Sequence, residues 1–580
     1  MPPLTDSEWA DLQSELPSPT SSVISHYLTS RSALKAEESK HRSDHSFRAN
    51  LSPIARRACD IVSRIRDAEK ATIWNSELEE KLASSESGGP LFQGMMFSLA
   101  KEVMEGTKLW KIVRRMPKGS LLHAHLDAMV DLEYLIDLTL STPGMHISSS
   151  LPLTSPEALT DADLSIRFRN AVPEGPSIWT SSYQAETYVP FVAAADAFPS
   201  GGRSGFIAWL KSRCVLSPRD AVEQHLGQTE IWRKFARCFM VLGTMIHYEP
   251  IWRGFLRRLM SLLVADGVYW VELRFTWPLN YCREGSEVPE TDYNHMFEVL
   301  EEETTRFQAT DEGKTFWGLR MIWTSLRSLD TRSIVENMDN CITTKLAWPH
   351  LVAGYDLVGP EDAGRPLADL LPELFWFRKQ CAIEGVEIPF FFHAGETLGD
   401  GNSTDDNLFD AVLLGTRRIG HGFSLYKHPR LIDAVRDRRI LIESCPISNE
   451  ILRLTGSIMH HPLPALLARG VPCALCNDDP AILGQDTAGM THDFWQTLQG
   501  WDNLGLAGLG SLAENSVRWS VFEDQDSEAW LKDIRSASIG GGVKAERLRQ
   551  WSVEWEQYCL WIVTEYGEEY GDTVENGVKS

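Results

Sequence analysis

The hydrophobic pattern of the chain changes near residue 117. From about residue 55 to 116, apolar residues recur at the three- and four-residue spacing of amphipathic helices. Beyond that point, short apolar runs alternate with longer amphipathic segments, except for one wide gap between the first run and the second. The runs are SLLHAHLD (120–127), VYWVELRF (268–275), WGLRMIW (317–323), LVAGYDLVG (351–359), EIPFFFHAGE (387–396), RRIGHG (417–422), RILIESCPIS (439–448) and VPCALCNDD (471–479). Eight strands alternating with helices predict an α/β protein with a (β/α)8 barrel.

Polar stretches suggest how the remainder of the chain is organised. The first 50 or so residues are rich in Ser, Thr and charge with little apolar periodicity, which is typical of a flexible arm. A second polar stretch at about 141–204 predicts an irregular insertion, after which helical patterns resume. We therefore expect a flexible arm at 1–54, an N-terminal helical extension at 55–116, the barrel at 117–560 with an inserted subdomain at about 141–250, and a C-terminal tail at 561–580.

Composition and charge indicate which kinds of partner and which cellular compartment are compatible with this chain. The net charge is −24, from 80 acidic and 56 basic residues, which disfavours nucleic acid or an anionic membrane as the main partner. No apolar run has the length of a transmembrane helix, and the N-terminus lacks the basic and apolar regions of a secretory signal. The ten cysteines have no regular spacing, as expected of reduced thiols. These features predict a cytoplasmic location.

Candidate catalytic residues stand at the ends of four of the eight runs. His123 and His125 end the first, His393 and Glu396 the fifth, His421 the sixth, and Asp478 and Asp479 the eighth. The active site of a (β/α)8 barrel lies at these carboxyl ends. Three imidazoles and a carboxylate suit a catalytic divalent ion with one position open to water, and zinc is the common choice.

Each of these motifs also has a purely structural explanation. His393 and Glu396 could mark a helix N-terminus with an acid in its first turn, which the helix dipole favours. His421 between two glycines could form a turn, and the Asp478–Asp479 pair could cap a helix. Their joint position at the ends of different strands is what favours a metal site.

Several longer motifs resemble a known family. They are MPKGSLLHAHLD, VAGYDLVGPED, FFFHAGET, TRRIGHGFSLYKHP, IESCPISNEIL, HHPLPALLARG and NDDPAILG. Together they resemble the adenosine deaminases, and most closely the adenosine deaminase-related growth factor branch, from about residue 85 to 560. The resemblance implies a metal-dependent hydrolase barrel that deaminates adenosine and 2′-deoxyadenosine and releases ammonia. It also implies one Zn²⁺ per chain, held by His123, His125, His393 and Asp478.

The resemblance further implies a role for each remaining site residue. Glu396 would protonate purine N1 during attack at C6, and His421 would take a proton from the attacking water. Asp479 would orient the attacking oxygen and contact N7. The backbone N–H of Gly359 would donate to N3, and Trp232 would lie over the nucleoside.

Two other functions stay open at this point. Leu398–Gly399 replaces an Asp-Trp pair that relatives commonly have, which could widen the site for adenosine 5′-phosphates such as AMP or ATP. Such a nucleotide deaminase would need a cation near the ribose 5′ position. Arg203, Lys211 and Arg213 are candidates, but surface solvation is the better explanation for each. The second alternative is a non-catalytic signalling or binding member of the family.

The expected partner is a small purine nucleoside. A homodimer could form through the N-terminal helices, as in relatives, but those helices could equally pack on their own barrel. Secreted members of the branch carry a signal peptide, so the resemblance leaves the compartment and any growth-factor role open.

Overall fold

The computed structural model describes residues 3–75, 77–78, 97–171, 175–277 and 280–571. Within these residues the strands are β1 (Gly119–His125), β2 (Met145–Ser149), β3 (Leu164–Phe168), β4 (Val189–Pro190), β5 (Val268–Thr276), β6 (Gly318–Leu326), β7 (Val352–Val358), β8 (His393–Ala394), β9 (Arg418–His421), β10 (Leu441–Ser444) and β11 (Cys473–Leu475). All eight sequence runs contain a strand.

The eight strands of those runs form a closed barrel. One parallel sheet has the order β1-β5-β6-β7 and the other β11-β10-β9-β8. Two parallel bridges, Ala124 to Asp478 and Tyr355 to Phe390, join the sheets at both seams. The prediction of a (β/α)8 barrel is confirmed, and all strand carboxyl ends meet at one face.

Helices alternate with the barrel strands and also extend the fold at both ends. They are α1 (Asp6–Glu15), α2 (Ser22–Lys40), α3 (His45–Ala49), α4 (Pro53–Thr72), α5 (Phe97–Glu105), α6 (Lys108–Arg115), α7 (Leu132–Ser141), α8 (Pro156–Asp161), α9 (Phe191–Asp196), α10 (Gly202–Ser212), α11 (Pro218–Val222), α12 (Gly227–Met245), α13 (Glu249–Ala265), α14 (Asn294–Gln308), α15 (Thr331–Ala347), α16 (Leu371–Glu384), α17 (Asn407–Leu413), α18 (Pro429–Asp437), α19 (Pro446–Ile451), α20 (Leu463–Ala468), α21 (Gly489–Gly500), α22 (Gly505–Arg518), α23 (Ser527–Ser536) and α24 (Gly542–Tyr570).

The helical extension packs on the barrel of its own chain. Helix α4 contacts α22 and α24, and it buries Ala58, Ile61, Val62 and Ile65 on one face. This i, i+3, i+4, i+7 spacing is the one expected of an amphipathic helix. Part of the predicted extension, residues 79–96, lies outside the described residues.

The predicted flexible arm is largely helical, which corrects the expectation for residues 1–54. Helix α1 begins with a capping box, in which the Thr5 side chain accepts from the Glu8 N–H and the Glu8 carboxylate accepts from the Thr5 N–H. Helices α1 and α2 bury none of their residues. Local capping, rather than an apolar stripe, therefore marks these helices in the sequence.

Two further segment predictions need correction. The stretch at 141–204 contains an antiparallel sheet of order β3-β2-β4, so it is not wholly irregular. Within β2, the pairing of Ile147 with Ile166 places two buried apolar side chains opposite each other. The predicted tail at 561–580 begins as helix, because α24 continues to Tyr570, and residues 572–580 lie outside the described residues.

No helix in the described part of the chain combines the length and the apolar character needed to cross a membrane. Large apolar side chains instead fill the interior, and Trp252, Trp323, Trp495 and Trp551 are among those that are fully buried. This core holds the strands rigidly and fixes the positions of the side chains at their ends.

Candidate active site

The predicted site residues converge at the carboxyl face of the barrel. His125 is the last residue of β1, His421 is the last of β9, and Asp478 lies three residues after β11. His421 and Asp478 have φ angles of 62° and 58°. Such left-handed conformations cost a non-glycine residue on the order of 1–3 kcal/mol and are typical of functional sites.

Histidine and aspartate side chains meet closely enough to share one ion. The Nε2 atoms of His123 and His125 lie 3.2 and 3.4 Å from Oδ1 of Asp478. Ligand atoms of His123, His393, His421 and Asp478 all lie within 4.8 Å of one another. His421, which we expected to be a base, therefore belongs to this group, whereas the predicted ligand His125 falls in a second group with Asp478 and Asp479.

The donor atoms of this cluster fit a metal ion. Nδ1 of His123 lies 2.8 Å from Glu443, and Nδ1 of His393 lies 2.6 Å from Asp356. A carboxylate at Nδ1 favours the tautomer whose Nε2 has a free lone pair, as in known metal sites. Nε2 of His123 and Oδ1 of Asp478 are buried and have no hydrogen-bond partner among the described residues.

A buried ion network lies beneath these histidines. Arg274 donates to Asp356 at 2.8 Å and to Glu443 at 2.7 Å, and all three side chains are fully buried. Arg418 joins the same network by donating to Glu443 and Glu272. Because the guanidinium and imidazole groups surround them, the carboxyls of Asp356 and Glu443 have pKa values held well below their usual range despite burial.

Glu396 has the properties of a neutral acid. Its side chain is buried, and burial, followed by the nearby negative charge of Asp478, raises its pKa well above the ordinary value. Its Oε1 atom has no hydrogen-bond partner among the described residues and lies 3.5 Å from Nδ1 of His421. Burial and Asp478 also raise the pKa of Asp479. The two shifts are opposite in direction: the pKa of Glu396 is raised, which favours its protonated form, whereas the histidines hold the pKa of the Asp478 carboxyl well below its usual range despite burial.

A cavity of about 450 Å³ opens above this cluster. Gly359 lines it with a φ of 99°, and Trp232 lines it from α12. Together with His125, His393, Glu396, His421, Asp478 and Asp479, these are the sequence-predicted site residues that reach the cavity. His123 lies behind them, fully buried.

Sequence reasoning missed several residues of the site. Asp127, Phe235, Phe239 and Leu326 also line the cavity. Asp127 ends the first apolar run together with the two histidines, so its position in the sequence could have identified it as a site residue. The supporting residues Asp356, Glu443 and Arg274 were also missed, although a charged residue inside an apolar strand indicates a buried partner.

Sequence comparisons agree with this geometry. The family model described as adenosine deaminase matches residues 218–537, more than half of the chain. A protein named adenosine deaminase from Lutzomyia longipalpis is 30% identical over 468 residues, which cover 78% of this chain and 80% of that protein. A protein named adenosine deaminase 2 from Homo sapiens is 30% identical over 440 residues, covering 76% and 81%. One with the same name from Dictyostelium discoideum is 28% identical over 503 residues, covering 86% and 83%.

The family resemblance predicted from the motifs is therefore confirmed. The matched relatives cover most of the chain, and the barrel and the histidine–aspartate cluster described above lie within the matched part. The chain belongs to the adenosine deaminase family.

Proposed function

We propose that this protein hydrolyses adenosine and 2′-deoxyadenosine at C6, releasing ammonia and the corresponding inosine. The observation that supports this most is a buried carboxyl with a raised pKa, Glu396, which lines the same largely apolar cavity as the histidine–aspartate cluster. Addition of water to a purine ring needs an acid that is still protonated at neutral pH, and burial provides one.

The proposed cofactor is a single Zn²⁺. His123, His125, His393 and Asp478 would hold it, since three neutral imidazoles and one carboxylate are typical zinc ligands. When bound, such an ion acts as a Lewis acid and lowers the pKa of a water at the site to about 7. The carboxylates of Glu443 and Asp356, which contact Nδ1 of His123 and His393, would keep the Nε2 atoms of these rings available to the ion.

The protein residues then move the protons. Glu396 would hold a proton for purine N1, so that the ring accepts the attacking oxygen at C6 without a full negative charge. His421 would take the proton that the attacking water loses, because burial lowers its pKa well below the ordinary value and leaves the imidazole neutral. The proton taken by His421 would pass to N6, so that ammonia leaves as the C6–N6 bond breaks. The proton of the new C6 hydroxyl would return to Glu396, which leaves inosine with the proton that Glu396 gave to N1.

Two groups would fix the purine for this reaction. The backbone N–H of Gly359 would donate to N3, and Asp479, whose pKa is raised by burial and by the charge of Asp478, would contact N7. Trp232, Phe235 and Phe239 form an apolar wall from α12 that would cover the nucleoside and exclude water.

The cationic residues considered for nucleotide binding have other partners. Arg203 pairs with Asp196 at 2.8 Å, and Lys211 donates to Glu133 at 3.0 Å. Arg213 donates to the backbone carbonyls of residues 159 and 162. Among the described residues that line the 450 Å³ cavity there is no Arg or Lys. The nucleoside is therefore the proposed substrate of this cavity.

A homodimer is proposed as the assembly. Its support is the pair α1 and α2, which bury no residue and expose large side chains, with Tyr27 at 65% and Leu34 at 72%. The previously considered helix α4 packs on its own barrel instead. Sedimentation of the full chain would test this: a sedimentation coefficient of a 65.3 kDa monomer at micromolar concentration would refute it.

The activity is tested by ammonia release from adenosine, 2′-deoxyadenosine, AMP, ATP and adenine. The protein is first loaded with zinc and its metal content is measured. Turnover of the two nucleosides supports the proposal. Absence of turnover on every compound, with one zinc per chain, would contradict it and favour a binding or signalling role.

A further inference from the structure

A second cavity adjoins the nucleoside cavity along helix α12. Its volume is about 220 Å³, and the two cavities share Phe239 and Met240 as lining residues. The second cavity continues along the same helix to Gly243 and Thr244 and ends at His247, just after the helix. At about 1.5 Å per residue, Phe239 and the helix end at Met245 lie roughly 9 Å apart along the axis, so an elongated ligand could extend from one cavity into the other.

Two arginines from β3 and the segment after it give this second cavity a positive character. Arg167 and Arg169 line it, whereas Glu287 is the one acidic residue among its lining residues. Glu287 is already engaged, because it accepts from Arg169 at 3.3 Å and from the backbone N–H of Asn170. Arg167 has no carboxylate partner among the described residues. Its guanidinium is therefore available to a ligand.

A buried imidazole adds an unused polar atom to this cavity. Nε2 of His247 is buried and makes no hydrogen bond within the described part of the chain. Burial, reinforced by the charge of Arg167, lowers the pKa of His247 to about 4, so the ring is neutral at physiological pH. A neutral imidazole offers one N–H donor, and a buried polar atom without a partner is costly unless a ligand or water satisfies it.

The two cavities have side chains of opposite charge, and this difference favours a particular kind of ligand. The nucleoside cavity has four acids, Asp127, Glu396, Asp478 and Asp479, and it has no Arg or Lys among its lining residues. The second cavity has two guanidinium groups and one carboxylate, and because Glu287 pairs with Arg169, the excess positive charge is that of Arg167. A ligand with a neutral ring system at one end and an anion at the other matches both. Guanidinium groups are well suited to phosphate because their planar donors match its oxygens.

We propose that the cavity of Arg167, Arg169 and His247 is a phosphate subsite for adenosine 5′-phosphates whose base occupies the nucleoside cavity. This inference rests on the proposed deaminase function and extends its substrate class from nucleosides to nucleotides. Arg167 and Arg169 would bind the phosphate oxygens, and His247 would donate a hydrogen bond. The loop with Cys282 and Glu287 forms the far wall of the subsite.

Steady-state kinetics of the zinc-loaded protein test the subsite with adenosine and AMP in parallel. Arg167→Gln is the main variant, since its side chain is exposed enough for the fold to tolerate the change. We expect kcat/KM for AMP to fall roughly 10- to 100-fold, the range of one charge-assisted hydrogen bond. The value for adenosine should change less than about twofold. Glu287→Gln, which removes the one acid, should raise kcat/KM for AMP.

Arg203→Gln is the matched control. It removes the same charge from a side chain that is 51% exposed and paired with Asp196, and it should leave both substrates unchanged. Inorganic phosphate should inhibit AMP turnover competitively in the parent protein, and more weakly in Arg167→Gln.

The outcomes separate the subsite from the underlying activity. If the parent deaminates adenosine but AMP neither reacts nor inhibits, the subsite is refuted and the deaminase proposal stands. Equal loss of AMP and adenosine turnover in Arg167→Gln would also refute the subsite, because it would indicate a structural role. If adenosine itself is not deaminated, the proposed function has failed first.

Discussion

Replacing Glu443 with Gln tests whether the buried ion network orients the metal ligands. The Glu443 carboxylate accepts from Nδ1 of His123 at 2.8 Å, from Arg274 at 2.7 Å and from Nε of Arg418. His123 and Arg274 share one carboxylate oxygen, and Arg418 binds the other. The single amide oxygen of Gln can replace only one of the two carboxylate oxygens. The NH₂ group then takes the place of the other oxygen and faces an N–H donor.

The expected magnitudes follow from this geometry. Breaking a buried, hydrogen-bonded charge pair costs about 3–5 kcal/mol of stability. Loss of the carboxylate behind a metal-binding histidine typically lowers metal affinity 10- to 100-fold, or about 1.4–2.8 kcal/mol. If the NH₂ group faces Nδ1 of His123, the ring adopts the tautomer with a proton on Nε2, which cannot bind an ion. Metal affinity should therefore fall even where the protein stays folded.

Two measurements on one preparation check this prediction. Zinc affinity is obtained by competition with a chelator, and the free energy of unfolding by urea titration of the metal-free protein. Glu336→Gln is the matched control, because Glu336 pairs with Arg332 at a surface where the two side chains are 60% and 87% exposed. That control should change stability by less than about 0.5 kcal/mol. A Glu443→Gln protein with zinc affinity within about twofold of the parent and unchanged stability would refute the reasoning.

Three other changes give distinct outcomes. His125→Ala should reduce both bound zinc and ammonia release to background, and metal analysis that found one tightly held ion per chain would contradict the ligand assignment. Gly359→Ala should cost about 1–3 kcal/mol through strain at its φ of 99°, and should raise KM for adenosine more than it lowers kcat; an unchanged KM would argue against N3 binding there. Lys544 is buried against Trp530, and burial lowers its pKa to about 7. Between pH 7 and 10 the unfolded protein therefore binds more protons at this residue than the folded protein does. In urea titrations, the free energy of unfolding of the parent should rise with pH relative to that of Lys544→Met, by at most about 1.4 kcal/mol per pH unit. If the two proteins show the same dependence of unfolding free energy on pH, the lowered pKa of Lys544 is contradicted.

The sequence was sufficient to predict the barrel and the residues at its strand ends. Each apolar run had a length suited to a strand, and polar residues such as His125 and His421 interrupted the runs where active sites of such barrels lie. The local pattern therefore contained the fold and the positions of the candidate site residues. What the pattern could not give was the pairing across the barrel, for instance between His123 and Glu443, which are 320 residues apart.

The remaining errors have local physical causes. Helices α1 and α2 lack a buried face, so apolar periodicity gave no sign of them, whereas the capping box at Thr5 and Glu8 did. The short sheet around β2 escaped notice because Ser and Thr dominate its surroundings. The second cavity could not be predicted, since Arg167 and His247 are 80 residues apart and meet only through the packing of β3 on α12.

Ammonia release by Glu396→Gln, measured together with its zinc content, tests the central claim most directly. Gln has nearly the shape of the protonated acid but cannot donate a carboxyl proton to purine N1. We expect one zinc per chain, a normal unfolding transition, and a kcat for adenosine lowered by about 10²-fold or more. A variant that keeps zinc and also keeps a near-parental kcat would contradict the account, because the proton would then come from another group.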